Sequence, residues 1–260
     1  MAVDVPRRWV RNTWEDKAQE NPFLAVQTTE EMLDAAAEDF SERHIEQLFE
    51  RGRRLYREQI SALIEARAEP REDTFIVEYG CGVGRILRAL IDAGYRCAGV
   101  DISPTMVRHC LQLAPEVEGA YVLDPSGGSA LADGVASLVF SFAVVQHISK
   151  LSAYKRAVLE MCRVLRPGGT LAIHLNCEDF TETPPTRTEN FEDHSLHFRE
   201  GEPEPYYRHD QQQWSGVYIG YPLLEQWLTE QGVTVGRWYY HNPQKHRGIW
   251  VIGSKSGATA

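Results

Sequence analysis

A chain of 260 residues, 43% hydrophobic and 25% charged, suits one large folded domain with a small addition and is too apolar to be disordered throughout. Its net charge of −10 repels phosphate backbones, so composition gives a nucleic-acid partner no support. The five cysteines (Cys81, Cys97, Cys110, Cys162 and Cys177) include no C-x-x-C pair, which argues against a disulfide framework or a zinc site and for a reducing cytoplasm.

No apolar run reaches the ~18 residues that a membrane helix needs, and the N-terminus, with Arg7, Arg8 and Arg11 around Trp9, lacks a signal-peptide core. A soluble, cytoplasmic protein is the expectation. Residues 28–68 read as helical: Thr28 and Glu31 have capping-box spacing, and Ile45, Leu48, Phe49, Gly52, Tyr56, Ile60, Leu63 and Ile64 recur at three- and four-residue steps. The arginines and glutamates interleaved there, from Glu42 to Arg71, have the mixed signs of a solvated face. Pro70 ends this N-terminal segment, so residues 1–70 are expected to form a helical unit against a main domain over 71–260.

The pattern then alternates. Phe75–Val77 reads as a strand, Ile86–Ala93 as a helix, Tyr95–Val100 as a second strand closing on Asp101, and Pro104 suits the first turn of the next helix. Tyr121–Leu123 and Leu138–Phe140 are further strands, Tyr154–Leu165 is a helix stopped by Pro167, Gly168 and Gly169, and Thr170–Leu175 is a fifth strand. Such alternation implies βαβ units and a parallel sheet. An insertion over 176–216 interrupts it. Leu223–Gln231 then reads as a helix, and Val233–Tyr240 and Gly248–Gly253 lie too close together for a helical crossover, so they are expected to pair antiparallel.

The informative stretch is Val77-Glu78-Tyr79-Gly80-Cys81-Gly82-Val83-Gly84-Arg85. Glycines after a strand allow a tight turn and a close ligand, and the next helix offers free N–H groups and a positive dipole end. Two nucleotide cofactors compete for such a loop. The dinucleotide pattern G-x-G-x-x-G places its third glycine one position later than Gly84, where this chain has Arg85. Glu78 would also oppose a pyrophosphate, yet it suits a ligand end bearing an ammonium and a sulfonium, as in S-adenosylmethionine. Asp101, 21 residues beyond Gly80, is placed to accept both ribose hydroxyls.

With those residues in view, Glu78 to Arg85 resembles the first motif of class I S-adenosylmethionine methyltransferases. Gly99-Val100-Asp101-Ile102-Ser103 resembles the second, and Leu165-Arg166-Pro167-Gly168-Gly169-Thr170-Leu171 resembles the entry to the family's fifth strand. The likeness covers roughly residues 74–176. It implies a Rossmann-like α/β sheet, mostly parallel with an antiparallel C-terminal hairpin, and S-adenosylmethionine as cofactor. Carried over by position, Glu78, Gly80, Cys81, Gly82 and Gly84 line the methionine part. Asp101 takes the ribose, Ile102 packs on adenine with Met106 nearby, Asp124 contacts the adenine amine, and Ser141 and Phe142 lie beside the sulfonium. Ala136 and Ser137 depart from the family's usual aromatic and Asp before the fourth strand, which loosens the register between 124 and 137. Trp14, Asn21-Pro22-Phe23 and Leu24 resemble the family's lid segment, and as residues they read equally as core anchors.

His147 is the candidate general base, with a scaffold role as the alternative. His194, His197, Trp214 and Tyr218 are candidate substrate contacts, with Tyr206, Tyr207, His209 and Tyr221 nearby; their spacing fixes no metal site. The expected reaction is methylation of a small molecule, on oxygen before nitrogen, with no membrane and a homodimer left open. A nicotinamide oxidoreductase and a catalytically silent cofactor-binding subunit are the rival readings.

Overall fold

The structure, a computed structural model, describes residues 14–26, 42–67, 69–148, 150–175, 221–240 and 249–257. They fall into two compact units, Met1–Pro125 and Ser126–Ala260. In the first unit, residues 14–20 and Pro22–Val26 are helical, followed by α1 (Glu42–Leu55), a π-helical turn (Tyr56–Ile60) and one more helical turn (Ser61–Glu65). The expected long N-terminal helix is thus present over 42–65 but interrupted by the π turn; Thr28, Glu31 and residues 27–41 lie outside the described residues. Its charged face is laced by Arg53 with Glu46 and Glu50 and by Arg57 with Glu50, while Leu48, Phe49 and Gly52 are buried.

β1 (Phe75–Tyr79) is buried at every position, the mark of a parallel strand covered on both faces. Then come α2 (Arg85–Asp92), β2 (Arg96–Asp101), α3 (Pro104–Leu113) and β3 (Gly119–Val122). β1 and β2 pair in parallel, with Glu78 opposite Gly99 and Tyr79 opposite Val100, and β2 pairs in parallel with β3. Ser103 caps α3 by accepting from the Met106 N–H, with Pro104 in the first turn as the sequence suggested.

The second unit holds β4 (Ala136–Ser141), α4 (Leu151–Val164), β5 (Leu165–Leu175), α5 (Tyr221–Glu230), β6 (Val233–Tyr240) and β7 (Ile249–Lys255). β4 and β5 are parallel, whereas β7 runs antiparallel to both β5 and β6. The C-terminal hairpin therefore has its second strand, not its first, against β5. The fifth strand also begins earlier than Thr170. Leu165 already pairs with Ala136, and Arg166–Gly169 then bulge out before Thr170 resumes the ladder opposite Leu138. Gly168 makes the bulge with φ +74°, and the Lys255 ammonium closes the end of α4 by donating to the Cys162 and Leu165 carbonyls at 2.7 and 2.8 Å.

Candidate cofactor and acceptor site

In the first unit the loop after β1 turns on three glycines with positive φ: Gly80 (81°), Gly82 (53°) and Gly84 (82°). The amides of Gly80 and Cys81 donate to the Val100 carbonyl at 2.7 and 3.1 Å, tying the loop to the end of β2. Gly84 is the N-cap of α2, and a Cβ there would stand 2.8 Å from the Cys110 sulfur. Gly99 does the same service from β2. A Cβ on it would lie 2.6 Å from the Cys81 sulfur, so its absence lets the loop fold onto the strand.

Asp101 closes β2, and its carboxylate oxygens accept backbone N–H groups, Oδ2 from Gly82 and Oδ1 from Ser103, both at 2.9 Å. One carboxylate thus fixes two turns at once. Burial pushes its pKa up, against hydrogen bonds from Ser103, Gly82 and Ile102. Glu78 is 4% exposed, and its Oε2 is buried without a hydrogen-bond partner. Burial drives its carboxyl well above the usual range, opposed by the neighbouring Arg85. Arg85 is shifted downward, again chiefly by burial. A buried carboxylate oxygen without a partner, one residue before a turn of left-handed glycines, fits a ligand with a cationic, amine-bearing end. Cys81 lines this loop as a buried thiol whose pKa is pushed up by its contact with Cys110 and by burial. Met106 is buried behind it at 3% exposure, while Ile102 is half-buried and Asp124 is exposed just beyond β3.

The N-terminal helices pack on this loop. Ala18 joins Leu48, Val83 and Met106 in one buried cluster, with Phe23 against it, and Lys17 lies over the Trp14 ring at 4.9 Å. Glu15, which sequence reasoning passed over, accepts from the Ser103 hydroxyl at 2.5 Å, the Thr105 hydroxyl at 2.7 Å and the Thr105 N–H at 3.2 Å. Burial raises its pKa, but these bonds and one from Gln19 outweigh that and hold it at about 2.

In the second unit Ser141 ends β4 fully buried, its hydroxyl without a hydrogen-bond partner, and Phe142 follows it. Ala143 then adopts a left-handed conformation, φ 57°, which is strained for a residue with a Cβ. The Phe142 ring meets His174 at 4.6 Å and Trp250 at 5.8 Å, and His174 meets Trp250 edge-on at 5.3 Å. Register explains the row: Ser141 pairs with Ile173 and His174 with Trp250, so Phe142, His174 and Trp250 share one face. The candidate base His147 ends a 3₁₀ turn, partly buried, with Gln146 Nε2 3.5 Å from its Nε2. His174, one residue from the end of β5, was not singled out from sequence. His194, His197, Trp214 and Tyr218 lie outside the described residues. No helix among the described residues is long and apolar enough to cross a membrane.

Residues 77–173 match the family described as a methyltransferase domain. The chain is 29% identical over 102 residues to 2-methyl-6-phytyl-1,4-hydroquinone methyltransferase of Synechocystis sp., covering 38% of this chain and 31% of that protein. It is 34% identical over 100 residues to malonyl-[acyl-carrier protein] O-methyltransferase of Methylococcus capsulatus, covering 37% and 35%. The chain thus spans about a third of the length of these curated relatives. Among solved structures, a methyltransferase of Methanosarcina mazei aligns with TM-score 0.54 at 19% identity, over 75% of this chain and 97% of that one. A TehB-like methyltransferase of Corynebacterium glutamicum aligns with TM-score 0.52 at 18% identity, over 83% and 100%. These two structures bear on the fold alone. Strand, glycine loop, helix and the acid closing β2 agree with the match of residues 77–173 to a methyltransferase domain, and the fold is similar to that of Rossmann-like methyltransferases.

Proposed function

We propose that the protein transfers a methyl group from S-adenosylmethionine to a small-molecule acceptor, on oxygen before nitrogen, in the cytoplasm. The observation that carries this is Asp101, a carboxylate held at the end of β2 by the amides of Gly82 and Ser103. The carboxylate has acceptor capacity left for the ribose. Around it, Gly80, Gly82 and Gly84 leave space for the methionine part, the orphaned Glu78 oxygen meets its ammonium, and Ile102, Met106 and Asp124 serve the adenine. When bound, the cofactor supplies an electrophilic methyl group on a sulfonium. The protein's own work is to hold donor and acceptor in line, about 3 Å apart, and to exclude water.

Oxygen is favoured because one curated relative is, by its name, an O-methyltransferase. A protonated hydroxyl acceptor needs a base, and His147 is the candidate; a carboxylate acceptor needs none. Calorimetry with S-adenosylmethionine, S-adenosylhomocysteine and NAD tests the cofactor. Binding of the first two and not the third is expected, and tight NAD binding alone ends the reading. Asp101→Ala is expected to weaken S-adenosylhomocysteine binding by about tenfold or more, since the ribose hydroxyls lose a charged acceptor. A panel of phenols, carboxylic acids and amines, followed by methyl transfer from labelled donor, identifies the acceptor. With a phenol, His147→Ala is expected to slow turnover by about a hundredfold; an unchanged rate returns His147 to a scaffold role.

A further inference from the structure

We propose that Glu15 is a cofactor-positioning residue: from the N-terminal helix it sets the turn that presents Asp101 to the ribose. This rests on the cofactor reading above. Ser103 is the link, because three of its atoms are engaged together. Its N–H donates to Asp101 Oδ1 at 2.9 Å, its hydroxyl oxygen accepts from the Met106 N–H at 3.1 Å, and its hydroxyl hydrogen goes to Glu15 at 2.5 Å. Glu15 also holds Thr105 through both hydroxyl and amide, so it grips the first turn of α3 on either side of Pro104. Carboxylates at a helix N-terminus are favoured by the free N–H groups and the dipole. Two of them meet here, Glu15 and Asp101, and only Asp101 has the cofactor loop as its other partner through Gly82.

Anchoring the N-terminal segment does not require Glu15. Ala18, 1% exposed, is buried with Leu48, Val83 and Met106, and Phe23 packs on the same cluster and against His109 at 5.9 Å. The carboxylate is therefore spent on the geometry of Ser103 and Thr105. Without it the Ser103 hydroxyl is free to rotate and the Asp101–Ser103 turn loses a restraint.

The test is calorimetry of S-adenosylhomocysteine binding to wild type, Glu15→Gln, Glu15→Ala, Asp101→Asn and the Glu15→Ala/Asp101→Asn double variant, with thermal melts alongside. The expected result is about tenfold weaker binding in Glu15→Ala and a smaller loss in Glu15→Gln, which keeps one acceptor atom. The double variant should bind no more weakly than Asp101→Asn alone, because Glu15 acts through Asp101. A merely structural glutamate would instead lower the melting temperature and give losses that add. Wild-type affinity in both Glu15 variants, or additive losses, overturns the proposal while leaving the cofactor reading intact. Wild-type protein that fails to bind S-adenosylhomocysteine overturns both.

Discussion

The strand ends of the two units are built from different materials. After β1 and β2 the first unit relies on backbone: glycines in left-handed conformations, amides aimed at carbonyls, and one carboxylate tying two turns. After β4 and β5 the second unit relies on side-chain surface, with Phe142, His174 and Trp250 in ring contact beside the orphaned Ser141 hydroxyl. Turns built on left-handed glycines tolerate no other residue without losing the turn, whereas a row of packed rings can change in shape while the strands that carry it stay paired.

The contrast is broken most easily from the second unit. Trp250 is fully buried, so Trp250→Ala should cost about 3–5 kcal/mol through the cavity it leaves, read as a fall in the urea midpoint. Fluorescence-monitored unfolding that leaves the midpoint in place would mean that the aromatic row holds nothing together. A paired glycine experiment comes next. Gly84→Ala combines a left-handed backbone with a 2.8 Å contact to the Cys110 sulfur, whereas Gly168→Ala, at φ 74°, meets nothing within 4 Å. The first should cost about 3 kcal/mol and abolish S-adenosylhomocysteine binding; the second should cost about 1 kcal/mol and spare it. Equal effects would erase the distinction between a packed glycine and a merely bent one.

The smallest effect is electrostatic. Glu78 is pushed upward, first by burial, with Arg85 lowering it and Cys110 and Asp101 raising it. A carboxyl raised in the folded state favours folding most below the ordinary carboxylate range, and that advantage is lost as pH rises through its raised value. A cationic ligand end prefers the ionised form, so S-adenosylhomocysteine affinity should rise with pH above the ordinary carboxylate range, by at most about tenfold per unit. Glu78→Gln should flatten that slope in calorimetry at several pH values. A slope that survives the substitution assigns the proton elsewhere.

How much of this was readable beforehand follows from the same difference. Val77 to Arg85 announced strand, turn and helix because glycine spacing and a lone acid are local signals. Asp101 was legible for the same reason. The start of β5 was not, since Pro167-Gly168-Gly169 reads as a stop, and only pairing of Leu165 with Ala136 reveals a bulge inside a strand. Glu15 was invisible because its partners lie 88 and 90 residues away. His174 could be placed on a strand by alternation, but nothing in that alternation said that Phe142 and Trp250 would flank it.

Gly52 carries one last consequence. It lies in the last turn of α1, 28 residues before Gly80, yet a Cβ on it would collide with the carbonyl oxygen of Arg85, the first residue of α2. Backbone touches backbone there, so α1 acts as a fixed footing under the helix that follows the glycine loop. A fragment trimmed to residues 77–173, the stretch that matches the methyltransferase family, would lose that footing and bare the apolar back of α2 to water. A piece that keeps this contact must include α1, Glu42–Leu55.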